Sequence, residues 1–329
     1  MRMMPSGIKS IAQRHMLEGT FAVSWILGRY CNYNCSYCWP YARSNKKDHR
    51  SLDLILLTID EIKRQAKDNG FNKFHFSFSG GEPTFHPNYL EIVEYLLDDS
   101  PWKSIHMTSN CSRKIDWFKD YAKLVSQFDK SSITASYHKE HVNSPQKIQE
   151  FGDKLLLCLD HGVRTTINMV MVPERFDDLL EEAKRFSDRG INVTLKPQSD
   201  ELASRIVGGY TEEQLEILRN DLPQKDLDGS DRHQIIATDV DGKEHYIDQA
   251  ERLNALGLNE FEGWECNAGY QSIIIREPDG SIKRSYSCRD EPLGYINKGF
   301  KLFDKPMPCI TPRCVSSADS KIPKRKICF

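Results

Sequence analysis

The sequence predicts an α/β fold: a partial barrel of six parallel strands and their helices, (β/α)6, followed by a small cysteine-bearing domain with a β-hairpin. Three observations carry this. Strand and helix patterns alternate from about residue 21 to 198. Cys31, Cys35 and Cys38 follow the first apolar run in the spacing C-x3-C-x2-C. Four further cysteines, Cys266, Cys288, Cys309 and Cys314, flank a hairpin pattern near the carboxyl end.

Residues 20–27 read as the first strand. Leu52, Ile55, Ile59, Ile62 and Ala66 then fall on one helical stripe that Gly70 ends. Residues 73–78 alternate, with Phe74, Phe76 and Phe78 on one face and His75 and Ser77 on the other, which is a second strand. A helix follows Pro87 with Leu90, Val93 and Leu97 inward, and residues 104–109 form strand three. Ile115, Phe118, Ala122 and Val125 mark the next helix, and residues 132–137 are strand four. A helix over 145–161, strand five over 165–172, a helix over 178–189 stopped by Gly190, and strand six over 191–195 complete the series. In such barrels chemistry gathers at the carboxyl ends of the strands. Cys31 follows strand one, Gly80 strand two and Asn110 strand three.

Iron–sulfur clusters normally take four cysteines. A tight set of three therefore points to a cube whose fourth iron is kept for an exogenous ligand. The segment from Cys31 to Cys38, with Tyr37 before its last cysteine, and the downstream Gly80-Gly81-Glu82-Pro83 together resemble the radical S-adenosylmethionine (SAM) superfamily over roughly the first two-thirds of the chain. The resemblance implies that the amino and carboxylate groups of SAM chelate the open iron. It places Tyr37 near the adenine, usually by its backbone, and residues 80–83 at the methionine amino group. Ser136 and Asn168 match positions that hold the SAM ribose or carboxylate, although a Ser or Asn in a strand often only satisfies a neighbour. Lys139, Arg164 and Lys196 compete as the basic partner of the SAM carboxylate. An external one-electron donor such as flavodoxin or ferredoxin is implied.

Composition bounds the rest. Of 329 residues, 45 are Lys or Arg and 47 Asp or Glu, a formal net charge of -2, so no general basic surface argues for nucleic acid. No apolar run reaches membrane-spanning length, and residues 1–9 have no signal-peptide core, so a cytoplasmic protein with no membrane partner is expected. Ten cysteines clustered in such a chain point to metal in a reducing compartment rather than to disulfides. Four parts are expected: an amino-terminal extension over 1–20, the barrel over 21–198, a bridging segment over 199–262 and a cysteine domain over 263–329. The bridge, with Gly208-Gly209, a helix-like 211–220 and an acidic run over 221–231, reads either as a cover for the open side of the barrel or as a solvated linker.

The carboxyl-terminal cysteines are spaced C-x21-C-x20-C-x4-C around a hairpin, 271–276 and 281–286, that turns at Pro278-Asp279-Gly280. They resemble the auxiliary-cluster domains called SPASM and, in one-cluster form, Twitch. The resemblance implies one auxiliary 4Fe-4S cluster; a structural zinc site is the alternative for four thiolates. Cys158 falls on a stripe with Ile148, Phe151 and Leu155 and reads as a core thiol. Cys328 reads as part of a frayed end. Cys111, past strand three, reads as a loop cysteine or as a hydrogen-atom donor to a substrate radical, and His138 and His141 sit past strand four.

The function implied is reductive cleavage of SAM and abstraction of a substrate hydrogen atom, leading to oxidation or bond formation. Two substrate classes stand. The expected one is a ribosomally made peptide, which a maturase would modify. The other is a small polar molecule such as an amino sugar, cyclitol or nucleotide sugar, acted on by a dehydrogenase or epimerase. Only thirty residues precede Cys31, too few for a winged-helix leader-binding module, which weighs against the peptide. A non-enzymatic iron–sulfur or zinc protein would leave residues 80–83 and the strand order unexplained.

Overall fold

A computed structural model describes residues 7–201, 205–223, 235–247, 253 and 257–327. Strand β1 (Ile8–Gln13) and the short α1 (Arg14–Leu17) lead into the barrel. Its strands are β2 (Thr20–Ile26), β3 (Lys73–Ser79), β4 (Trp102–Ser109), β5 (Lys130–Tyr137), β6 (Arg164–Met171) and β7 (Asn192–Pro197). All pair in parallel, in chain order. Helices α2 (Leu52–Asp68), α3 (Tyr89–Tyr95), α4 (Ile115–Val125), α5 (Pro145–Asp160) and α6 (Phe176–Asp188) cover the outer face. The expected partial barrel is present, with elements displaced by two residues or so at their ends.

The period-two pattern explains the layering. Phe21, Val23, Trp25, Phe74, Phe76 and Phe78 point outward and are buried with Ile55, Ile59 and Ile62 of α2. Each fully buried Phe is worth about 1.5–3 kcal/mol over exposure. The opposite face of the same strands turns into the lumen and is mostly Ser, Thr, His and Asn. Cys158 is completely buried in the outer core, as its stripe predicts.

Only the tertiary structure shows how the remaining segments join. The hairpin strand β11 (Ser272–Arg276) pairs in parallel with β2, Ile273 opposite Val23, and so adds a seventh parallel strand to the barrel sheet. The sheet continues through β12 (Ser281–Lys283), β13 (Gly294–Tyr295) and β14 (Gly299–Phe300). A second, antiparallel sheet draws on three distant parts of the chain: β1 from the amino-terminal segment, β8 (Ile235–Asp239) and β9 (Glu244–Ile247) from the bridge, and β10 (Glu265–Cys266), β15 (Met307–Pro308) and β16 (Lys324–Arg325) from the carboxyl end. Its core contains Cys266, Cys309 and Cys314. The bridge supplies α7 (Glu212–Asn220), capped reciprocally by Thr211 and Gln214, and Ile235 on the lumen wall. Most of the acidic run over 221–231, and Cys328, lie outside the described residues.

Candidate active site

The cysteine loop leaves the carboxyl end of β2 and is closed by its own backbone: Cys31 N donates to Ser44 O at 3.2 Å, Ser44 N to Arg29 O at 2.6 Å and Cys38 N to Cys35 O at 3.1 Å. Cys31 Sγ accepts from Tyr33 N at 3.4 Å and lies 3.8 Å from Asn110 Nδ2. N–H groups aimed at sulfur stabilise a thiolate and its cluster. Burial pushes the Cys31 and Cys38 thiols up and Cys35 to about 12, so metal binding must release protons here. Three thiols close enough to raise one another's pKa, one of them with N–H donors, fit an iron–sulfur cube with one open corner.

The loop after β3 fastens this segment. Gly81 N donates to Gly28 O at 3.0 Å, and Glu82 N to Tyr30 O at 2.7 Å. A Cβ at Gly80 would meet Gly28 O at 2.3 Å, and one at Gly81 would meet the carbonyl oxygens of Arg29 and Tyr30 at 2.3 Å. Gly80 also has φ +140°. Both glycines are thus required by contact with the cysteine loop, a reason the sequence does not reveal.

The Glu82 carboxylate is buried and fully engaged. It accepts from Thr84 N (3.1 Å), Thr84 Oγ1 (2.7 Å), Ser109 Oγ (2.9 Å) and Asn110 N (2.6 Å). Burial pushes its carboxyl up while these donors pull it down. The side chain therefore ties the β3 loop to the end of β4. Pro83 starts a short 3-10 turn over Pro83–Phe85. Asn110 reaches back to Asn32 Oδ1 at 3.0 Å.

Tyr37 Oη bonds His138 Nδ1 at 2.8 Å, and Tyr33 stacks on His141 with centroids 4.0 Å apart. Burial lowers His138 to about 4, so it stands neutral. Glu140, which the sequence does not single out, accepts from Ser36 N at 2.8 Å and from Ser36 Oγ, and pairs with Arg175 at 3.5 Å. No local signal could find it, since Ser36 and Glu140 are 104 residues apart. Ligand atoms of Cys35, Glu140 and His141 lie within 4.8 Å of one another. The loop after β5 is thereby the wall against the cysteine loop. A cavity of about 580 Å³ opens between Cys35, Tyr37, Cys38 and the segment after β7, Gln198 and Asp200 included.

Ser136 and Asn168 are register partners facing the lumen, with Thr194 beside them. The three basic candidates separate by place. Lys139 is consumed in an ion pair with Glu182. Arg164 opens β6, at the end remote from the cysteines, whereas Lys196 stands near the carboxyl end of β7. Cys111 is 1% exposed, with its thiol directed toward Ser109 O within the outer core, and burial raises its pKa. The backbone at this position has a φ of 54°.

In the second sheet, Cys266, Cys309 and Cys314 are buried and Cys288 half-buried. Pairing of β10 with β15 sets Cys266 opposite Met307, two residues before Cys309. Cys266 Sγ accepts from Ala268 N at 3.5 Å and Cys288 Sγ from Ser285 Oγ at 3.1 Å. Burial pushes Cys288 and Cys309 up and Cys314 to about 12; Arg284 opposes this at Cys288 and Cys309, and Lys324 at Cys309 and Cys314. Both cations are buried. Four thiols beside two buried cations fit a cluster of net negative charge.

An open parallel barrel that presents a three-cysteine loop at its strand ends defines a class of iron–sulfur enzyme domain. Residues 25–187 match the Radical SAM superfamily, and the chain carries a radical SAM domain. Its cofactors are accordingly a 4Fe-4S cluster and SAM. Relatives include the S-adenosylmethionine-dependent nucleotide dehydratase RSAD2 of Oncorhynchus mykiss, 26% identical over 179 residues, 49% of this chain and 47% of that protein. The GTP 3',8-cyclase of Pasteurella multocida (strain Pm70) is 29% identical over 108 residues, 32% of this chain and 28% of that one. The chain spans about half the length, or less, of these curated relatives. Among solved structures, native anSMEcpe with bound AdoMet aligns with a TM-score of 0.53 at 16% identity, over 84% of this chain and 78% of that one, which shows the shared fold. Among the described residues no helix is long and apolar enough to cross a membrane.

Proposed function

We propose that this chain cleaves SAM reductively and directs the resulting radical at a small polar substrate held in the barrel lumen. The observation that carries the reading is the lumen: a cavity of about 570 Å³ walled by the polar faces of β2 to β7 and closed by residues of β1, β8, β11 and the segment around Asp319. That volume suits a compact ligand. The names of the curated relatives, nucleotide dehydratase and GTP cyclase, support the same class over a ribosomally made peptide.

In this reading Cys31, Cys35 and Cys38 hold the SAM-binding cluster. Tyr37, residues 80–83, Ser136 and Asn168 form the SAM site, with Lys196 for its carboxylate. Cys266, Cys288, Cys309 and Cys314 hold an auxiliary 4Fe-4S cluster. When bound, the first cluster supplies the electron that splits SAM into methionine and a 5'-deoxyadenosyl radical. The chain's residues do the rest: Glu82 and Glu140 fix the loops, the lumen strands orient substrate, and the second sheet shields it from water. An external donor such as flavodoxin or ferredoxin delivers electrons. Ligation by all four auxiliary thiols would leave no open iron for substrate and would let that cluster take up the substrate's electron, which favours net oxidation or bond formation.

The test is anaerobic reconstitution followed by measurement of 5'-deoxyadenosine with dithionite, across nucleotides, nucleotide sugars and peptides. Small polar anions should stimulate its formation. Stimulation by peptides alone would overturn the substrate class, and absence of 5'-deoxyadenosine under every condition would overturn SAM cleavage.

A further inference from the structure

Strand register builds a polar row across the lumen. Ser24 pairs with Ser77, Ser77 with His106, His106 with Ser132, and Ser132 with Arg164, so five consecutive strands present these residues at one level. All five line the 570 Å³ cavity. We infer that this row is a subsite for a phosphoryl group of the substrate, with Arg164 as its charged anchor; the inference rests on the lumen being the substrate site.

Charge and hydrogen bonding both support it. Among the described residues Arg164 has no ion-pair partner, and Lys321 lies on the same cavity wall. Both cations stand close enough to His106 to lower its pKa, after burial has done most of the work. His106 is therefore neutral, its Nδ1 2.8 Å from Ser132 Oγ and its Nε2 3.4 Å from Thr108 Oγ1, and so orders these hydroxyls without adding a competing negative charge. The carboxylate on this wall, Asp319, is already spent on Ser287 N and Oγ, each at 2.7 Å, and on Tyr286 N at 3.2 Å. A positive lumen lined with hydroxyls matches the oxygens of a phosphate. Distance from the SAM site assigns Arg164 to substrate: it lies four residues, about 13 Å of strand, below Asn168.

The test is calorimetric binding of inorganic tripolyphosphate to the reconstituted full chain loaded with SAM, for the wild type, Arg164→Gln and Arg164→Lys. Saturable binding is expected, weakened about tenfold or more in Arg164→Gln and partly restored in Arg164→Lys. Equal affinity in all three proteins, or no binding to a wild type that does bind SAM, would overturn the subsite and leave SAM chemistry standing. A loss of SAM affinity in Arg164→Gln with tripolyphosphate affinity retained would reassign Arg164 to SAM and likewise overturn it. Failure of the wild type to bind SAM would instead strike the radical SAM reading itself.

Discussion

The backbone N–H of Glu82 donates to the carbonyl of Tyr30 at 2.7 Å, which fastens the loop after β3 to the residue that precedes Cys31. The glycines beside Glu82 make that approach possible, and their loss should be felt at the cysteine loop before it is felt by SAM.

Gly81→Val would set a side chain 2.3 Å from two carbonyl oxygens. Neither can retreat without moving Arg29 and Tyr30. The variant should bind less iron at its first site and lose the corresponding visible absorbance, with SAM binding falling in consequence. Full iron occupancy with weakened SAM binding alone would show that the glycine serves the cofactor directly.

Lys139 and Lys196 should differ. Lys139→Met breaks the pair with the buried Glu182 and should cost stability, about 3 kcal/mol for a stranded carboxylate, with little change in SAM affinity. Lys196→Met should weaken SAM binding about tenfold. Isothermal titration of both variants, with thermal melts, checks the assignment; the reverse pattern would exchange their roles.

Stability should fall on mild acidification. Burial lowers His106 to about 4 from an ordinary 6.5, so below pH about 6.5 the unfolded chain takes a proton that the folded chain refuses. The stability is present above the unfolded pKa and is lost as pH falls through the window between the two values. His106 alone should cost about 2 kcal/mol between roughly pH 7 and pH 5. His106→Asn should flatten that part of the melting-temperature profile, and an unchanged profile would mean that the imidazole takes up its proton as readily in the fold as in the unfolded chain.

Replacing Cys288 and Cys309 with Ala should remove about half of the reconstituted iron and stop product formation while 5'-deoxyadenosine still forms. Zinc in place of the missing iron in the wild type would support the structural site. Because Cys309 belongs to the core of the second sheet, circular dichroism must accompany the assay.

The sequence alone reached the barrel because its signals are local. Alternation through Phe74 to Phe78, the stripe from Ile55 to Ala66 and the spacing of Cys31, Cys35 and Cys38 each depend on neighbours within a few turns. Only tertiary structure could decide the rest. That β1 joins β16, that β11 completes the barrel edge beside β2, and that Glu140 holds Ser36 are pairings across most or much of the chain, and residue type encodes them too weakly to read. The same reason covers Cys111, whose burial depends on the core that the rest of the barrel packs around it.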